Sequence, residues 1–589
     1  MKKFLPIIFL LALGALLAVI HDRLVNTAGL VSTAENDVPG MYEQDDTARD
    51  TTPPIPSPPP KYYNPGSNAA FPSLHITTAR DPFIQDRTFW HDGTAALSGA
   101  PEGFNFEPVA ARFRGRGNST WWRAPDKRPL RLRFITPQPL LSEYDARDWV
   151  LLAEHFDRSL MRNYSALFLG NLLCGLYFTP RAHHIHLYVN GQYMGVYLLT
   201  DERNTGPGRL NLAWHEDPAV SCFFLEHDAR AYRTGIQDET FITIGGLHYD
   251  LRYPNNLSPA HIEYVRAYIG AVDCAIRRQS FDEVRALIDL DSFVDFYIVQ
   301  EFYKDIDARH LSIFMYITGT GHERRLFKGP IWDFDLAAGN AGHQPMGYGP
   351  EGIYVAIMNA WYRYLFNMPE FFEAVLARWN EIRHREIAQT MEQIRVTAKR
   401  YQHEFERNFE RHPDVMGREQ MHTPREILEI STFMGHVEHL INWLETRAGW
   451  MDDFLNGRLP GYDHLWTFFM YYAGRSPVKV SVNGELQEFT VPPVTINETI
   501  MLVPQELEAI FGVNIDYDVL VTGTATLYHG HIPLVHQTGD IRLAVNGEIF
   551  ELTIPTAYII RNRVFVPLEG LANALGYEIY WDGDAIHLQ

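Results

Sequence analysis

The stretch "GPIWDFDLAAGN", Gly329 to Asn340, sets Asp333 and Asp335 among Ile331, Trp332, Phe334 and Leu336, with Gly339 and Asn340 behind them. A carboxylate among large apolar side chains is costly to bury unless a cation or a proton meets it. On an extended strand, residues i and i+2 face the same way. Magnesium is commonly held by one or two carboxylates together with substrate phosphates, so this pair suits a hard cation. A buried ion pair with an arginine is the plainer alternative. Upstream, "YKDIDARHLSIFMY" carries Asp305 and Asp307 at the expected end of a helix, with an apolar strand beginning shortly after. An acid there can orient a hydroxyl and take its proton, although aspartates at helix ends and turns are common without such a role.

A third stretch, "RFRGRGNSTWWRAPDKRPLRLRF" from Arg112 to Phe134, puts Gly115 and Gly117 around a turn whose amides could approach an anion, helped by Asn118 and Ser119. Arg114, Arg116 and Lys127 add cations, and Lys127 at the mouth of a strand can hold a phosphate as a point charge. An ordinary solvated turn is the alternative for this stretch. Together the three pieces are the parts of a phosphoryl-transfer site, where positioning and electrostatics supply most of the catalysis. The chain has no G-x-x-x-x-G-K-[ST] loop and no HRD triplet, so it is neither a P-loop enzyme nor an ordinary protein kinase.

Strands and helices must bring these pieces together. From about Leu74 to Asp228 the pattern is mostly strand: "PLRLRFI" alternates, and "HIHLYVNGQYMGVYLLTDE" reads as two strands about the turn Asn190-Gly191. One helix, "DRSLMRNYSALFLGNLLCGL", interrupts it. From Pro259 to about Asp307 the reading turns helical, a short strand pair follows, and Trp361 to about Leu455 is nearly all helix. The expected fold class is therefore α+β, a β-rich lobe followed by an α-rich lobe, with a ligand cleft between them. The C-terminal part repeats: "VKVSVNGELQEFTVPP" and "IRLAVNGEIFELTIPT" share a VNG triplet, at Val482 and at Val545, offset by 63 residues. It contains no titratable cluster and reads as a small α+β binding or structural module.

With 589 residues the chain exceeds one core, and a formal charge of −21 argues against a nucleic-acid binder. Only Cys174, Cys222 and Cys274 are present, with no metal-ligand spacing. "MKKFLPIIFLLALGALLAVIHDR" has two lysines and then an uncharged run from Phe4 to Ile20, which reads as a secretory signal or short signal-anchor over residues 1–31. Residues 32–68 are acidic, then proline-rich, and read as an unfolded stiff spacer. The expected location is the cell exterior or surface.

In order along the chain, "RGRGNSTWW…DKRPLRLRF", "DRSLMRNYSALFL", "VNGQYMGVYLLTDE", "CFFLEHD", "DLDSFVDFYIVQEFYKDIDARHLS" and "GPIWDFDLAAGN" resemble the spore-coat CotH kinase family, over about Leu74 to Leu455. The resemblance implies a two-lobed atypical protein-kinase-like domain over residues 69–460. It also implies transfer of phosphate to serine or threonine of exported proteins, dependent on ATP and on Mg2+ or Mn2+. By position, Lys127 would contact nucleotide phosphates with Arg116 and Asn118, Asp307 would be the catalytic acid, and Asp333 would bind metal. Asp335 and Asn340 belong to the same signature. Where the family shows glutamate after "YLLT" this chain has Asp201 and then Glu202, so Glu226 of "FFLEHD" becomes a rival partner for Lys127. Ser312 stands where ordinary kinases place a metal-binding asparagine. The C-terminal pair, residues 474–589, resembles the stalk-like repeats named after copper amine oxidases, which implies no copper here but does suggest a cell-wall or surface partner. A pseudokinase or scaffold acting through those repeats is the competing reading. His184 and His186 on one strand face could form a zinc pair, and Glu202 with Glu226 a glycosidase pair. Nothing else in the sequence supports either.

Overall fold

The fold is given by a computed structural model that describes residues 70–79, 87–124, 126–229, 241–342, 345–417 and 423–458 and, from residue 479 onward, the elements named below. The signal-like run and the spacer expected before residue 69 lie outside the described residues. Among the described residues, no helix is long and apolar enough to cross a membrane.

Seven strands open the chain: β1 (Ser73–Thr78), β2 (His91–Ser98), β3 (Phe106–Gly115), β4 (Leu130–Gln138), β5 (Ala146–Leu152), β6 (Ala182–Val189) and β7 (Gln192–Asp201). They close into a barrel in the order β1-β2-β3-β4-β5-β7-β6. The β6–β7 hairpin turns at Asn190 and Gly191, both at positive φ, which the tight asparagine-glycine turn requires. Alternation along the strands serves two cores. Leu151, Leu199, Leu130, Leu132 and Phe113 fill the barrel. Val150, Leu152, Val196 and Leu198 point the other way, into a larger core shared with the helices. The expected β-rich region is thus a closed barrel, and closure removes its exposed edges.

A second sheet has the order β12-β11-β8-β10-β9, formed by β8 (Phe223–His227), β9 (Phe241–Ile244), β10 (Leu247–Tyr253), β11 (Ile313–Thr318) and β12 (Arg325–Lys328). The helix Arg162–Leu172, inserted between β5 and β6, and the helix Leu290–Tyr303 pack in the larger core. From Ser292 to Tyr303 every residue of "LDSFVDFYIVQEFY" is buried, and its buried carboxylates Asp295 and Glu301 are met by Arg378 and Arg447, as buried charges require. Long helices complete the region, among them Pro369–Ile382, Ala388–Arg400, Gln402–Arg411 and Phe433–Leu455. The α+β class and the change from strand-rich to helix-rich therefore follow the sequence reading.

In the C-terminal part the two sequence repeats do not form two separate units. Lys479–Val482, from the first, pairs in parallel with Ala585–Leu588, from the second, and Ile515–Val519 pairs with Ile541–Val545. Asn483 and Gly484 make the expected positive-φ turn. Each sheet that joins the halves borrows a strand from both, so neither half could bury its apolar face alone.

Candidate active site

Lys127 precedes β4 and is 1% exposed. Its Nζ lies 5.4 Å from the centre of the Tyr197 ring and makes no hydrogen bond among the described residues. Burial drives its pKa down to about 7, against the pull of Glu154. Glu154, just past β5 and at a positive φ of 50°, is buried too, and burial together with Asp157 lifts its pKa to about 8. A buried cation with nothing to donate to is unstable unless a ligand supplies the acceptors. Glu154 is held from behind: Asn163 Nδ2 donates to its two oxygens at 3.0 and 3.2 Å. The Asn163 Oδ1 in turn accepts from the backbone N of Phe334 at 2.7 Å. One side chain therefore couples the carboxylate beside Lys127 to the residue that follows Asp333.

Asp333 and Asp335 do not lie on a strand. They sit in a loop after β12, with Asp333 at φ 75°, a left-handed conformation that an aspartate adopts only when its surroundings impose it. Both are partly exposed. The Ser312 hydroxyl donates to Asp333 Oδ2 at 3.1 Å. Asp305 and Asp307 follow the helix Leu290–Tyr303, which ends at Lys304 in the left-handed region, so neither closes the helix. The Asp307 backbone N donates to Asp305 Oδ1 at 3.1 Å. Burial, then Asp307, Asp333 and Asp335, push the Asp305 pKa well above the carboxylate range. Burial, then Asp333, Glu154, Asp307 and Asp157, do the same to Asp335. The carboxylates that lift Asp305 and Asp335 mark a place where positive charge is wanted. Among the described residues no three His, Cys, Asp or Glu side chains form a self-sufficient metal cage.

The loop is fixed at several points. Asp157, fully buried, accepts from the backbone N of Ser159, Met161 and Arg162 and from Arg162 Nη1 at 2.5 Å. Arg162 then reaches Ala337 O at 3.0 Å and Ala338 O at 3.1 Å, while the Ala338 backbone N donates to Tyr303 O at 2.6 Å. On the other side Glu301 accepts from the backbone N of Tyr354 and Val355, both at 2.7 Å, and from Arg447 Nη2 at 2.7 Å. Lys304 Nζ donates to the carbonyls of Gly349 and Glu351.

The remaining residues singled out from sequence divide. Arg116 is near the carboxylates. Its guanidinium carbon stands 5.6 Å from the Trp332 ring centre, and burial with Arg203 lowers its pKa to about 10. Its backbone N is already bonded to Pro129 O, so that amide is not offered to an anion. Gly115 is required by Trp121, whose ring occupies the space a side chain would need, rather than by an anion. Asn118 is exposed and makes no side-chain cap to the short helix Ser119–Arg123. Glu226 lies on β8, paired with Arg252 at 2.5 Å, and it is Glu154 that acts on Lys127. Glu202 answers Arg131 at 2.8 Å, and Asp201 answers Arg181 and Arg209. Asn340 spends its amide nitrogen on Phe156 O at 2.9 Å and Asp335 O at 2.7 Å, which leaves only its Oδ1 for a cation. His184 bonds Leu160 O, and His186 bonds Glu404 and Tyr193, so both strand histidines serve packing. Sequence reasoning passed over Glu154 and gave Arg162 and Asn163 no role in the site. The available signal was a run of polar residues, "EHFDRSLMRN", entering an otherwise apolar helix.

Comparison with known families gives two matches. The profile of the CotH kinase protein family matches residues 111–451, more than half of the chain. That of the copper amine oxidase N-terminal domain matches residues 481–588. A search of curated proteins found no match.

Proposed function

This chain belongs to the CotH kinase protein family, and from that premise we propose that it transfers the γ-phosphate of ATP to serine or threonine hydroxyls of exported or cell-surface proteins. The observation that carries the reading is the bridge through Asn163: the carboxylate beside a buried lysine that makes no hydrogen bond among the described residues, and the loop bearing Asp333, are tied to one amide. Lys127 and Arg116 would hold nucleotide phosphates, and Asp333 and Asp335 would hold Mg2+ or Mn2+, with Ser312 steadying Asp333. A divalent ion there supplies charge neutralisation on the transferring phosphate. Asp307 accepts the proton of the acceptor hydroxyl. Glu154 keeps Lys127 charged where burial alone would strip its proton, and Asn163 holds Glu154 in place. The two-lobed kinase arrangement, with nucleotide between the barrel and the helical part, belongs to this same reading. So does a location outside the cell, with the C-terminal module engaging a wall or surface partner.

The test is phosphate transfer from radiolabelled ATP with magnesium or manganese, beside Asp307→Ala and Asp333→Ala. Incorporation lost in both variants establishes the kinase. Equal silence in all three, with a thermal shift on adding ATP and metal, would make the protein a nucleotide-binding pseudokinase. Silence without any shift would move the function to the C-terminal module.

A further inference from the structure

The chain is acidic overall, yet Arg112 to Arg133 holds eight cations and one carboxylate. Several of those cations lie elsewhere: Lys127 is buried beside Glu154, Arg131 pairs Glu202, Arg133 pairs Asp148 and Arg112 pairs Asp92. Others surround two tryptophans at the open end of β3. Arg87 stacks 5.2 Å from the centre of the Trp122 ring and donates to Gly117 O at 2.6 Å. Arg128 stacks 4.5 Å from the Trp121 ring centre, Arg123 is exposed, and Trp122 is half exposed. This basic, aromatic surface adjoins Arg116, which approaches Trp332 and is influenced by Asp333. Aromatic faces and arginines together suit an acidic peptide: the guanidiniums take carboxylates, and the ring takes the peptide's apolar surface.

The same chain carries such a peptide. "EQDDTARDTT", Glu43 to Thr52, has four carboxylates around Thr47, Thr51 and Thr52. Its reach is sufficient. The described chain enters at β1, where Ser73 pairs with Ser98, whereas the basic surface lies at the other end of β2, where His91 pairs with Phe113. Seven strand residues separate those ends, roughly 23 Å. The proline-rich residues 53–69 between Thr52 and the barrel could span about 50 Å when extended.

We propose that the Arg87–Trp122–Arg123–Arg128 surface docks the acidic segment Glu43–Thr52 of its own chain and presents one of its threonines as the first phosphate acceptor. The proposal rests on the kinase reading above and extends it to the acceptor class, a hydroxyl flanked by carboxylates. In the step, the threonine Oγ bonds to the γ-phosphorus, the bond from that phosphorus to the ADP oxygen breaks, and the threonine proton passes to Asp307.

The experiment uses the full chain in detergent and two variants, Arg123→Glu with Arg128→Glu, and the segment with Glu43→Gln, Asp45→Asn, Asp46→Asn and Asp50→Asn. Trypsin cleavage after Arg49, timed without nucleotide, reads docking independently of catalysis. Docking predicts cleavage several-fold faster in the Arg123→Glu with Arg128→Glu variant, whose cleaved segment is unchanged, and a rate there equal to the wild type overturns the proposal. After incubation with ATP and magnesium, mass spectrometry should find phosphate on Thr47, Thr51 or Thr52 of the wild type, at a rate unchanged by tenfold dilution. Both variants should lose it, while the segment variant still phosphorylates an added threonine peptide flanked by carboxylates and the arginine variant still phosphorylates one without them. Phosphate confined to other residues, or a rate that falls on dilution, overturns it. A chain that labels nothing, itself or any acceptor, refutes the kinase reading instead, and the Arg49 rates still decide the docking.

Discussion

Lys127 gives the sharpest test of the nucleotide assignment, because its burial makes affinity depend on pH in a fixed direction. In the free protein its ammonium competes with burial, and the pKa falls to about 7. A phosphate group beside Nζ would restore the charged form, so binding at higher pH takes up a proton. Affinity is then full below pH 7 and declines above it by about 1.4 kcal/mol per unit. Between about pH 7.5 and about pH 9, beyond the second phosphate ionisation near ~6, the charged fraction of Lys127 falls about 25-fold. Glu154 loses its own proton near 8, but its pull is already part of the value of about 7 for Lys127, so the expected weakening stays at about 25-fold. Titration calorimetry with a non-hydrolysable ATP analogue and magnesium, in buffers of differing ionisation heat, measures both the affinity and the proton uptake. Lys127→Arg stays charged throughout and should bind with little dependence on pH. A flat wild-type profile, or an equal fall in Lys127→Arg, would refute the argument that this buried ammonium meets the nucleotide.

Other expectations follow from the same contacts. Glu154→Gln keeps an acceptor for Asn163 but removes the charge beside Lys127, and turnover should drop about a hundredfold, within the usual range for a positioned acid-base partner. Because the folded pKa of Glu154 is raised, its stabilising share is present at low pH and lost as pH rises through about 8. The Gln variant should thus be the more stable protein at high pH, by at most ~5 kcal/mol, and denaturant melts at two pH values would check the sign. Arg162→Met leaves Asp157 buried without its cation and releases Ala337 and Ala338. A loss of about 3–5 kcal/mol is expected, and an unchanged melting temperature would show that the clamp carries no load. Ser312→Ala removes one hydroxyl from Asp333, worth about 1 kcal/mol. It should raise the metal concentration for half-maximal activity roughly fivefold while the melting temperature barely moves.

The amino-acid sequence by itself determined the class of the fold, the order of its strand-rich and helix-rich parts, and the residue types of the site. Alternation in "PLRLRFI", the asparagine-glycine turn of β6–β7 and the helical spacing of apolar residues leading to Asp307 are local patterns, and local backbone preference and burial periodicity suffice to read them. Asp307, Asp333, Asp335 and Lys127 stood out because charge in an apolar context is conspicuous along one dimension. Several things were not legible. The seven strands close into a barrel, the sequence repeats exchange strands, and Glu154 rather than Glu226 or Glu202 faces Lys127. Asp333 takes a left-handed turn instead of lying on a strand, and Arg162 and Asn163 are the struts of the site. Each depends on which residues meet across many intervening positions: Asn163 and Phe334 are 171 residues apart, and Arg162 and Ala337 are 175 apart. A carboxylate's role is set by the charge it faces and the water it loses, and only tertiary packing decides either.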